Sequence, residues 1–358
     1  MRALSATFLS VPLLAALYGS TAMAAEAPRY TVVVLPGEDG TATAINNSGV
    51  ATQVIGYVLG QRRAAYTDGS SQSFIPTLGG TENVASDINS ANQIVGASRL
   101  ADNTTTHAYV YRNGTVKDLG TLGGDYSSAQ YINDAGTIVG TSRLANGDAH
   151  AFIYTENSGM VDIGTFGGAG SYVSDIDASG RVLGAAQTAS GEWRNFLYEN
   201  GTMTALDLPL GLSVSGFMPG GGYYGSKATS DFGGGYSYVI KDGVISYPFG
   251  LGSVQAVNAG GYAVGMDAEL TLFGRLTTPE GGPYSLDDLV DEPGWSDFFT
   301  IDGINDAGQI IGTGCRVDIG CTSIRLDPLS PVPEPAAYAM LGAGLAMLAW
   351  TRRRKQRA

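Results

Sequence analysis

The stretch INDAGTIVG, residues 132–140, returns near the end of the chain as INDAGQIIG, residues 304–312. Variants of the same phrase begin at Ile45, Ile88, Ile176, Phe217 and Val257. Successive copies start 40 to 47 residues apart. A near-constant period over most of the chain indicates one repeat array rather than several unrelated domains. The residues that define the repeat best are Asn133, Gly136, Gly140, Asn305, Gly308 and Gly312.

One copy of the repeat contains a turn signal followed by short apolar stretches. After Asn-Asp-Ala-Gly, the apolar stretches occupy residues 137–142, 150–154, 160–163 and 171–176. Asn, Asp and Gly tolerate the positive φ that tight turns require, whereas Val, Ile, Tyr and Phe favour strands. Each repeat therefore predicts a four-stranded antiparallel meander.

The size of the repeat favours a β-propeller, because four short strands in about 40 residues make one blade. The last copy has two recognisable strands, at residues 309–317 and 322–326, and residues 30–35 and 41–45 match the two that are missing. We therefore expect an all-β propeller of about seven four-stranded blades, closed by N-terminal strands that pair with the C-terminal blade. A parallel β-helix or another β-repeat array is the alternative fold.

The N-terminus has the pattern of a secretory signal peptide. A basic start at Arg2 precedes an apolar stretch, and Ala22, Met23 and Ala24 form an A-x-A cleavage pattern. We assign residues 1–24 to the signal peptide and residues 25–331 to the repeat domain.

The C-terminus, residues 332–358, combines three features in a fixed order. An extended Pro-Glu-Pro triplet precedes an apolar run at residues 336–350, which is short for a membrane helix, and then a basic cluster. The residues of the triplet and the cluster are Pro333, Glu334, Pro335, Arg352, Arg353, Arg354, Lys355 and Arg357.

This arrangement resembles the PEP-CTERM sorting signal of Gram-negative bacteria. The resemblance implies that an exosortase processes the chain near the triplet. It also implies transient insertion of a short transmembrane helix into the inner membrane, with the basic cluster on the cytoplasmic side. The exported protein would then be at the cell surface, associated with the outer membrane or secreted.

A second resemblance lies within the repeats. His107-Ala108-Tyr109 and His150-Ala151-Phe152, with the runs DLGTLGG at residues 118–124 and DIGTFGG at residues 162–168, resemble the extracellular HAF repeat. The similarity is good over residues 75–200 and weaker afterwards. It implies export and repetition, but no reaction.

Charge narrows the choice of partners. The formal net charge of −13 becomes more negative once Arg2 and the basic C-terminal cluster are removed. An acidic surface argues against nucleic acid and anionic lipid. It favours neutral glycans, basic proteins or divalent cations.

Candidate catalytic residues are scarce. His107 and His150 are the two histidines, and they occupy equivalent positions in neighbouring repeats. A metal shared by the two is conceivable, but a role in the repeat itself is favoured, and no nucleophile pairing can be built on them. We therefore predict no catalytic site; the alternative is a glycan hydrolase or lyase that uses carboxylates at the centre of the propeller.

Two further features bear on stability. Asp175, Asp177 and Ser179 have the spacing of a calcium loop, although no acidic residue follows where the ligand cage usually closes. They form a weak candidate for calcium, with no other cofactor expected. Cys315 and Cys321, the two cysteines, are predicted to form a disulfide in an exported chain.

The Gly-rich residues 216–235 are interpreted as a degenerate blade with flexible turns, and an aromatic platform for sugar rings is the alternative. Tyr223, Tyr224 and Tyr236 can stack on sugar rings if they are exposed. The combined interpretation is a non-enzymatic protein of the cell surface or biofilm matrix. It binds extracellular polysaccharide or a surface protein, and a calcium-stiffened structural module is a further alternative.

Overall fold

The computed structural model describes residues 27–37, 40–56, 61–209, 211–228, 235–249, 252–266 and 274–329. Within these ranges the chain forms 28 strands and one helix of a single turn, α1 (Leu286–Leu289). The protein is therefore all-β, as the period of the turn phrase predicts.

The strands form antiparallel groups of four, which we call units and number along the chain. Unit 1 contains β2 (Thr41–Ile45), β3 (Ala51–Ile55), β4 (Arg63–Thr67) and β5 (Gln72–Phe74). Unit 2 contains β6 (Gly79–Ile88), β7 (Ile94–Leu100), β8 (Thr106–Arg112) and β9 (Thr115–Gly120). Unit 3 contains β10 (Gly123–Ile132), β11 (Ile138–Leu144), β12 (Ala149–Thr155) and β13 (Gly159–Asp162). Unit 4 contains β14 (Gly167–Ile176), β15 (Val182–Thr188), β16 (Trp193–Glu199) and β17 (Thr202–Ala205). Single parallel bridges, from Tyr126 to Thr106 and from Gly170 to Ala149, join units 2, 3 and 4 into one 12-stranded sheet.

The remaining strands make three more units. Unit 5 contains β18 (Leu212–Phe217), β19 (Tyr223–Ala228), β20 (Gly235–Lys241) and β21 (Val244–Ser246). Unit 6 contains β22 (Ser253–Val257), β23 (Ala263–Met266), β24 (Gly274–Thr278) and β25 (Gly281–Ser285). Unit 7 contains β26 (Trp295–Ile304), β27 (Ile310–Arg316), β28 (Gly320–Pro328) and the N-terminal strand β1 (Tyr30–Val34).

The N-terminal strand lies in the last unit. β1 pairs antiparallel with β28, from Tyr30 opposite Pro328 to Val34 opposite Ile324. The segment between units 6 and 7 holds β1 in place: Arg29 pairs with Asp291, and the Val32 N–H donates to Glu292 Oε1 at 2.9 Å. Acidic residues of this segment therefore position β1.

The predicted grouping of strands into units is wrong by one strand. Residues 171–176 were expected to close the meander that starts at residue 137, but they belong to β14, which pairs antiparallel with β15 of the next unit. For the same reason residues 41–45 begin unit 1, and β1 is the one N-terminal strand that joins unit 7. The physical cause is the turn phrase itself, because it closes a tight hairpin between the first and second strands of each unit.

Apolar side chains from neighbouring units share their cores. One cluster joins Val95 and Val110 of unit 2 to Ile132, Ile138 and Phe152 of unit 3, and all five are buried. Since a single four-stranded sheet leaves one apolar face uncovered, each unit depends on its neighbour for burial.

The last glycine of the phrase permits close packing between strands. A Cβ on Gly140 would lie 2.0 Å from the Ser128 carbonyl oxygen and 2.7 Å from the Phe152 ring. The register of β10 against β11 shifts between Ala129 and Tyr131, so a β-bulge brings the two backbones together there. Gly312 has the same geometry, 2.0 Å from the Thr300 oxygen. These glycines are therefore required by the backbone and not by a ligand.

Candidate functional site: the row of turn phrases

The turn phrase is a hairpin stabilised by its own asparagine. In unit 3 the Asn133 side-chain Oδ1 accepts the Thr137 N–H at 2.9 Å, and the Gly136 N–H donates to the Asn133 carbonyl at 2.9 Å. Gly136 has φ +79°, a left-handed conformation that glycine adopts without a steric penalty. Asn305 and Gly308 repeat both features in unit 7.

Where the phrase has this asparagine, its side chain also links the unit to the following one, an interaction that we call the Asn bridge. Its Nδ2 donates to the backbone carbonyl of the equivalent residue in the following unit. The bridges run from Asn46 to Asn89 at 3.1 Å, Asn89 to Asn133 at 3.1 Å, Asn133 to Asp177 at 3.0 Å, Asn258 to Asn305 at 3.0 Å and Asn305 to Asn46 at 2.8 Å. One side chain therefore shapes the turn and joins two units, which explains why the phrase repeats.

A second link uses the acidic residue after the asparagine. Asp134 accepts the Ser90 N–H at 2.8 Å and the Ser90 hydroxyl at 2.9 Å. Asp306 accepts the Ala259 N–H at 2.8 Å and the Asn47 Nδ2 at 2.8 Å. These carboxylates therefore take part in contacts between units.

The turns surround an open depression of about 260 Å³. Its wall is formed by the first residues of the phrases in units 1 to 4, among them Ile45, Ile88, Ile132 and Ile176. Asp134 is the acidic side chain among the described residues that line it. A glycosidase needs two carboxylates facing each other across the substrate, and this wall does not supply such a pair.

Two carboxyl groups with raised pKa values lie beside this depression. Asp87 and Asp175 each directly precede an isoleucine of the wall. Burial raises the pKa of each to about 7, even though backbone N–H groups that donate to them act in the opposite direction. Burial also raises the pKa of Asp302 in unit 7 to about 6.

The two carboxyl groups also connect units. Asp87 Oδ2 accepts the Ile132 N–H at 2.8 Å, and Asp175 Oδ2 accepts the Phe217 N–H at 2.9 Å. The Tyr131 hydroxyl lies in their field: burial and then the charges of Asp175 and Asp87 raise its pKa to about 12. Sequence reasoning missed this linking role. The available signal was an acidic residue next to an isoleucine that the repeat buries.

The calcium candidate divides into two separate interactions. Asp175 turns toward unit 5, whereas Asp177 Oδ1 accepts N–H groups of Ser179 and Arg181, each at 2.9 Å. Arg181 also donates to Asp177 Oδ2 at 2.6 Å. Within the described part of the chain, no group of three or more His, Cys, Asp or Glu residues is placed to hold a metal ion.

The two histidines form equivalent pairs inside their own units. His107 Nδ1 lies 2.9 Å from Asp118 Oδ1, and His150 Nδ1 lies 2.9 Å from Asp162 Oδ2. Each aspartate also accepts the N–H of the glycine two residues later, at 2.7 Å. The recurring histidine and Asp-Leu/Ile-Gly motifs therefore pair the third strand of a unit with its fourth.

The cysteines and the tyrosines occupy different environments. Cys315 and Cys321 face each other in the β27–β28 pairing and are bonded as a disulfide. Tyr224 is 7% exposed and belongs to a core cluster, so it takes no part in an exposed aromatic platform. Tyr223 packs on Phe217 with ring centroids 5.9 Å apart.

The predicted segments at both ends of the chain lie outside the described residues. These are the signal peptide at residues 1–24, the Pro-Glu-Pro triplet, the short transmembrane helix at residues 336–350 and the basic cluster. In the part that the structure does describe, no helix combines the length and apolarity needed to cross a membrane.

Sequence comparison identifies the C-terminal signal. Residues 331–355 match the model of the PEP-CTERM protein-sorting motif. This motif implies export, processing by an exosortase and sorting to the cell envelope of a Gram-negative bacterium. No curated protein matches the chain.

Solved structures show similarity in fold. The β-propeller domain of the Trilobed protease from Pyrococcus furiosus has a TM-score of 0.56 and 9% identity, over 82% of this chain and 94% of that one. A puromycin-hydrolyzing peptidase from Mycobacterium tuberculosis has a TM-score of 0.53 and 11% identity, over 86% of this chain and 54% of that one.

TolB from Acinetobacter baumannii has a TM-score of 0.43 and 17% identity, over 58% of this chain and 52% of that one. The chain thus spans about half the length of TolB and of the peptidase. At these identities the likeness to the protease domain and to the peptidase concerns the fold alone.

Proposed function

We propose that the exported protein is a closed seven-bladed β-propeller that binds extracellular polysaccharide at the cell surface or in the biofilm matrix, without catalysing a reaction. The observation that carries this proposal is the sorting motif at residues 331–355, attached to an array of strand units with propeller-like neighbours. The motif accounts for the destination, and the array provides a rigid surface for binding.

Support for a closed ring comes from contacts between the two ends of the array. β1 pairs with β28, Asn305 bridges to Asn46, and the Asp306 N–H donates to Asn47 Oδ1 at 2.9 Å. A closed ring covers the apolar faces of its first and last blades and leaves only the short edge strands of each blade exposed. The seven units would then be seven blades, completed by a single N-terminal strand.

Support for binding a neutral glycan comes from charge. The net charge of −13 opposes nucleic acid and anionic polymers. The resemblance to extracellular HAF repeats agrees with an exported binding module but adds no reaction.

Co-sedimentation with the producer's own exopolysaccharide tests this function. Purified protein is spun with the polymer, with and without calcium, and reducing ends in the supernatant are measured. Polymer-dependent sedimentation without new reducing ends is the expected result. Protein that stays in solution at every polymer concentration would overturn the proposal.

A glycan hydrolase is the second candidate, and the raised pKa values of two carboxyl groups favour it over other enzymes. A carboxyl group with a pKa of about 7, as in Asp87 and Asp175, is half protonated near neutral pH and can serve as a general acid. New reducing ends that disappear in both Asp87→Asn and Asp175→Asn would establish the hydrolase and refute the non-catalytic function.

A further inference from the structure

A groove between units 1 and 2 contains two tyrosines side by side. It measures about 350 Å³, within the range of about 300 to 1,000 Å³ typical of ligand pockets. The Tyr66 and Tyr111 ring centroids are 5.8 Å apart and the rings are tilted by 41°. Both rings are half-buried and rest on a core cluster that includes Ile88 and Ile94, so the core fixes their positions.

The rim of the groove carries polar groups of the kind that bind hydroxyls. Asp68, Ser71, Asn92 and Asn113 line it and are exposed. Asp68 Oδ1 accepts the N–H groups of Ser70 and Ser71, at 2.9 Å and 3.0 Å, whereas Oδ2 has no hydrogen-bond partner among the residues that the structure describes. These bonds lower the pKa of Asp68 to about 2, so its carboxylate remains an acceptor at any physiological pH.

Tyr66 departs from the repeat at a position where the fold does not require an aromatic ring. It faces Thr52 across the sheet. The residues at the same register position in units 2 to 5 are Val110, Ile153, Leu197 and Val239. An aliphatic side chain is therefore sufficient for packing there, and Tyr66 needs another explanation.

The equivalent groove between units 2 and 3 provides an internal comparison. Val110 stands in the place of Tyr66, Arg112 in the place of Asp68, and Glu156 in the place of Asn113. Arg112 and Lys117 both pair with Glu156. No aromatic ring is among the described residues that line this second groove. Aromatic rings beside exposed polar side chains, without an ion pair among the described lining residues, are thus a property of the first groove and not of the repeat.

We propose that the groove lined by Tyr66 and Tyr111 binds a neutral pyranose segment of a polysaccharide chain. This inference rests on the proposed function and assigns it to a site. A tyrosine ring packs against the apolar C–H face of a sugar, while Asp68, Asn92 and Asn113 bind its hydroxyls. Lysine and arginine are absent from the described residues of the lining, and Asp68 repels anions, so a neutral sugar fits better than an acidic one.

The test uses the mature exported protein and the neutral fraction of the producer's extracellular polysaccharide, the fraction that passes an anion exchanger. Tyr66→Val replaces the ring with the side chain that unit 2 has at the same position. We expect at least a tenfold rise in Kd for this variant. Asp68→Asn keeps the Oδ1 that accepts the Ser70 and Ser71 N–H groups but removes the negative charge, and we expect a rise of several-fold.

Arg112→Gln, in the second groove, is the matched control and should change Kd less than twofold. If the wild-type protein binds the neutral fraction and both groove variants bind equally well, the site is wrong while the proposed function stands. If the wild-type protein binds neither the neutral nor the acidic fraction, the proposed function itself fails. Binding of the acidic fraction alone would overturn the choice of a neutral ligand.

Discussion

Units 3 and 5 fold in the same way although their turn phrases differ. Unit 3 has INDAGTIVG, whereas unit 5 has FMPGGGYYG at residues 217–225. In both, the second residue of the phrase donates its N–H to the carbonyl four residues later, at 3.1 Å from Asn133 and 3.0 Å from Met218. The turn backbone is therefore retained where the side chain that supports it is lost.

What differs is the link to the neighbouring unit. Asn133 bridges to Asp177, but Met218 has no side-chain amide to donate. The final glycine is kept in both units: a Cβ on Gly225 would lie 1.9 Å from the Ser213 oxygen. The glycine and the asparagine of the phrase therefore have different structural roles. Glycine serves the strand backbone, whereas asparagine serves the contact between units.

The largest predicted effect comes from the shared glycine. Gly140→Ala and Gly225→Ala should each lower the free energy of unfolding by about 3 kcal/mol, because the new Cβ would overlap a carbonyl oxygen and an aromatic ring. Urea unfolding measures the loss. Similar losses in the two units would establish that the close approach of the two strands requires this glycine whatever the other residues of the phrase are.

Gly303→Ala is the control for this pair. Gly303 also lies in a first strand, but its nearest contact would be Ile311 at 3.5 Å, an ordinary van der Waals distance. Its substitution should cost less than about 1 kcal/mol. A loss at Gly303 as large as that at Gly140 would contradict the explanation by close approach.

The disulfide extends the comparison to unit 7, which repeats the phrase of unit 3 almost unchanged. Its second hairpin alone holds a cysteine pair, Cys315 and Cys321. Closing so short a loop should stabilise the protein by about 2 kcal/mol through the entropy of the unfolded chain. The Cys315→Ser/Cys321→Ser double variant should therefore melt at a lower temperature. Two thiols that label in the untreated exported protein would show that the bond does not form.

The Asn bridge is expected to have an effect about as large as that of the disulfide. Asn133→Asp keeps the oxygen that accepts the Thr137 N–H but places an oxygen opposite the Asp177 carbonyl, so one donated bond is lost. We expect a loss of about 2 kcal/mol in unfolding free energy at neutral pH. Asn157→Asp, an exposed position in the same unit, is the control. Equal stability of the two variants would remove the Asn bridge as a source of stability.

The sequence was sufficient to predict the period, the strand content and the turn, because all three depend on local residue preferences. Strand β11 was expected at residues 137–142 and is observed at Ile138–Leu144. Which four strands make up one unit was not predictable in the same way. Residues 171–176 can pair with the strand before them or with the strand after them. The local sequence pattern is the same for both pairings, so it does not decide between them.

The residues of the candidate site were predicted only in part. Asn133 was identified as a turn residue, but its bond to the next unit joins residues 44 positions apart, and one repeat in isolation contains no partner for it. Asp87 and Asp175 were missed as linking residues for the same reason. Tyr66 escaped notice because its departure from the repeat is visible only once the strand register is known.

The smallest predicted effect concerns pH near neutrality. It involves the hydrogen bonds that join units 3 and 5 to the units before them. Asp87 joins unit 2 to unit 3, Asp175 joins unit 4 to unit 5, and both have a pKa of about 7 in the folded chain, against an ordinary value of 3.8. The folded state therefore holds these protons more tightly than the unfolded state. Their contribution to stability is complete below about pH 4 and is lost as the pH rises through 7.

We expect the unfolding free energy to fall by on the order of 1 kcal/mol between pH 7 and pH 8, where both carboxyl groups lose their last protons, and by about 1.4 kcal/mol for each pH unit and each group at lower pH, down to about pH 4. The Asp87→Asn/Asp175→Asn variant should have a flatter profile over this range, whatever its absolute stability. Asp242→Asn, an exposed residue of unit 5, should leave the slope unchanged. If the unfolding free energy of the double variant depends on pH as steeply as that of the wild-type protein, the titrating groups lie elsewhere. The bonds of Asp87 and Asp175 to units 3 and 5 would then not depend on pH.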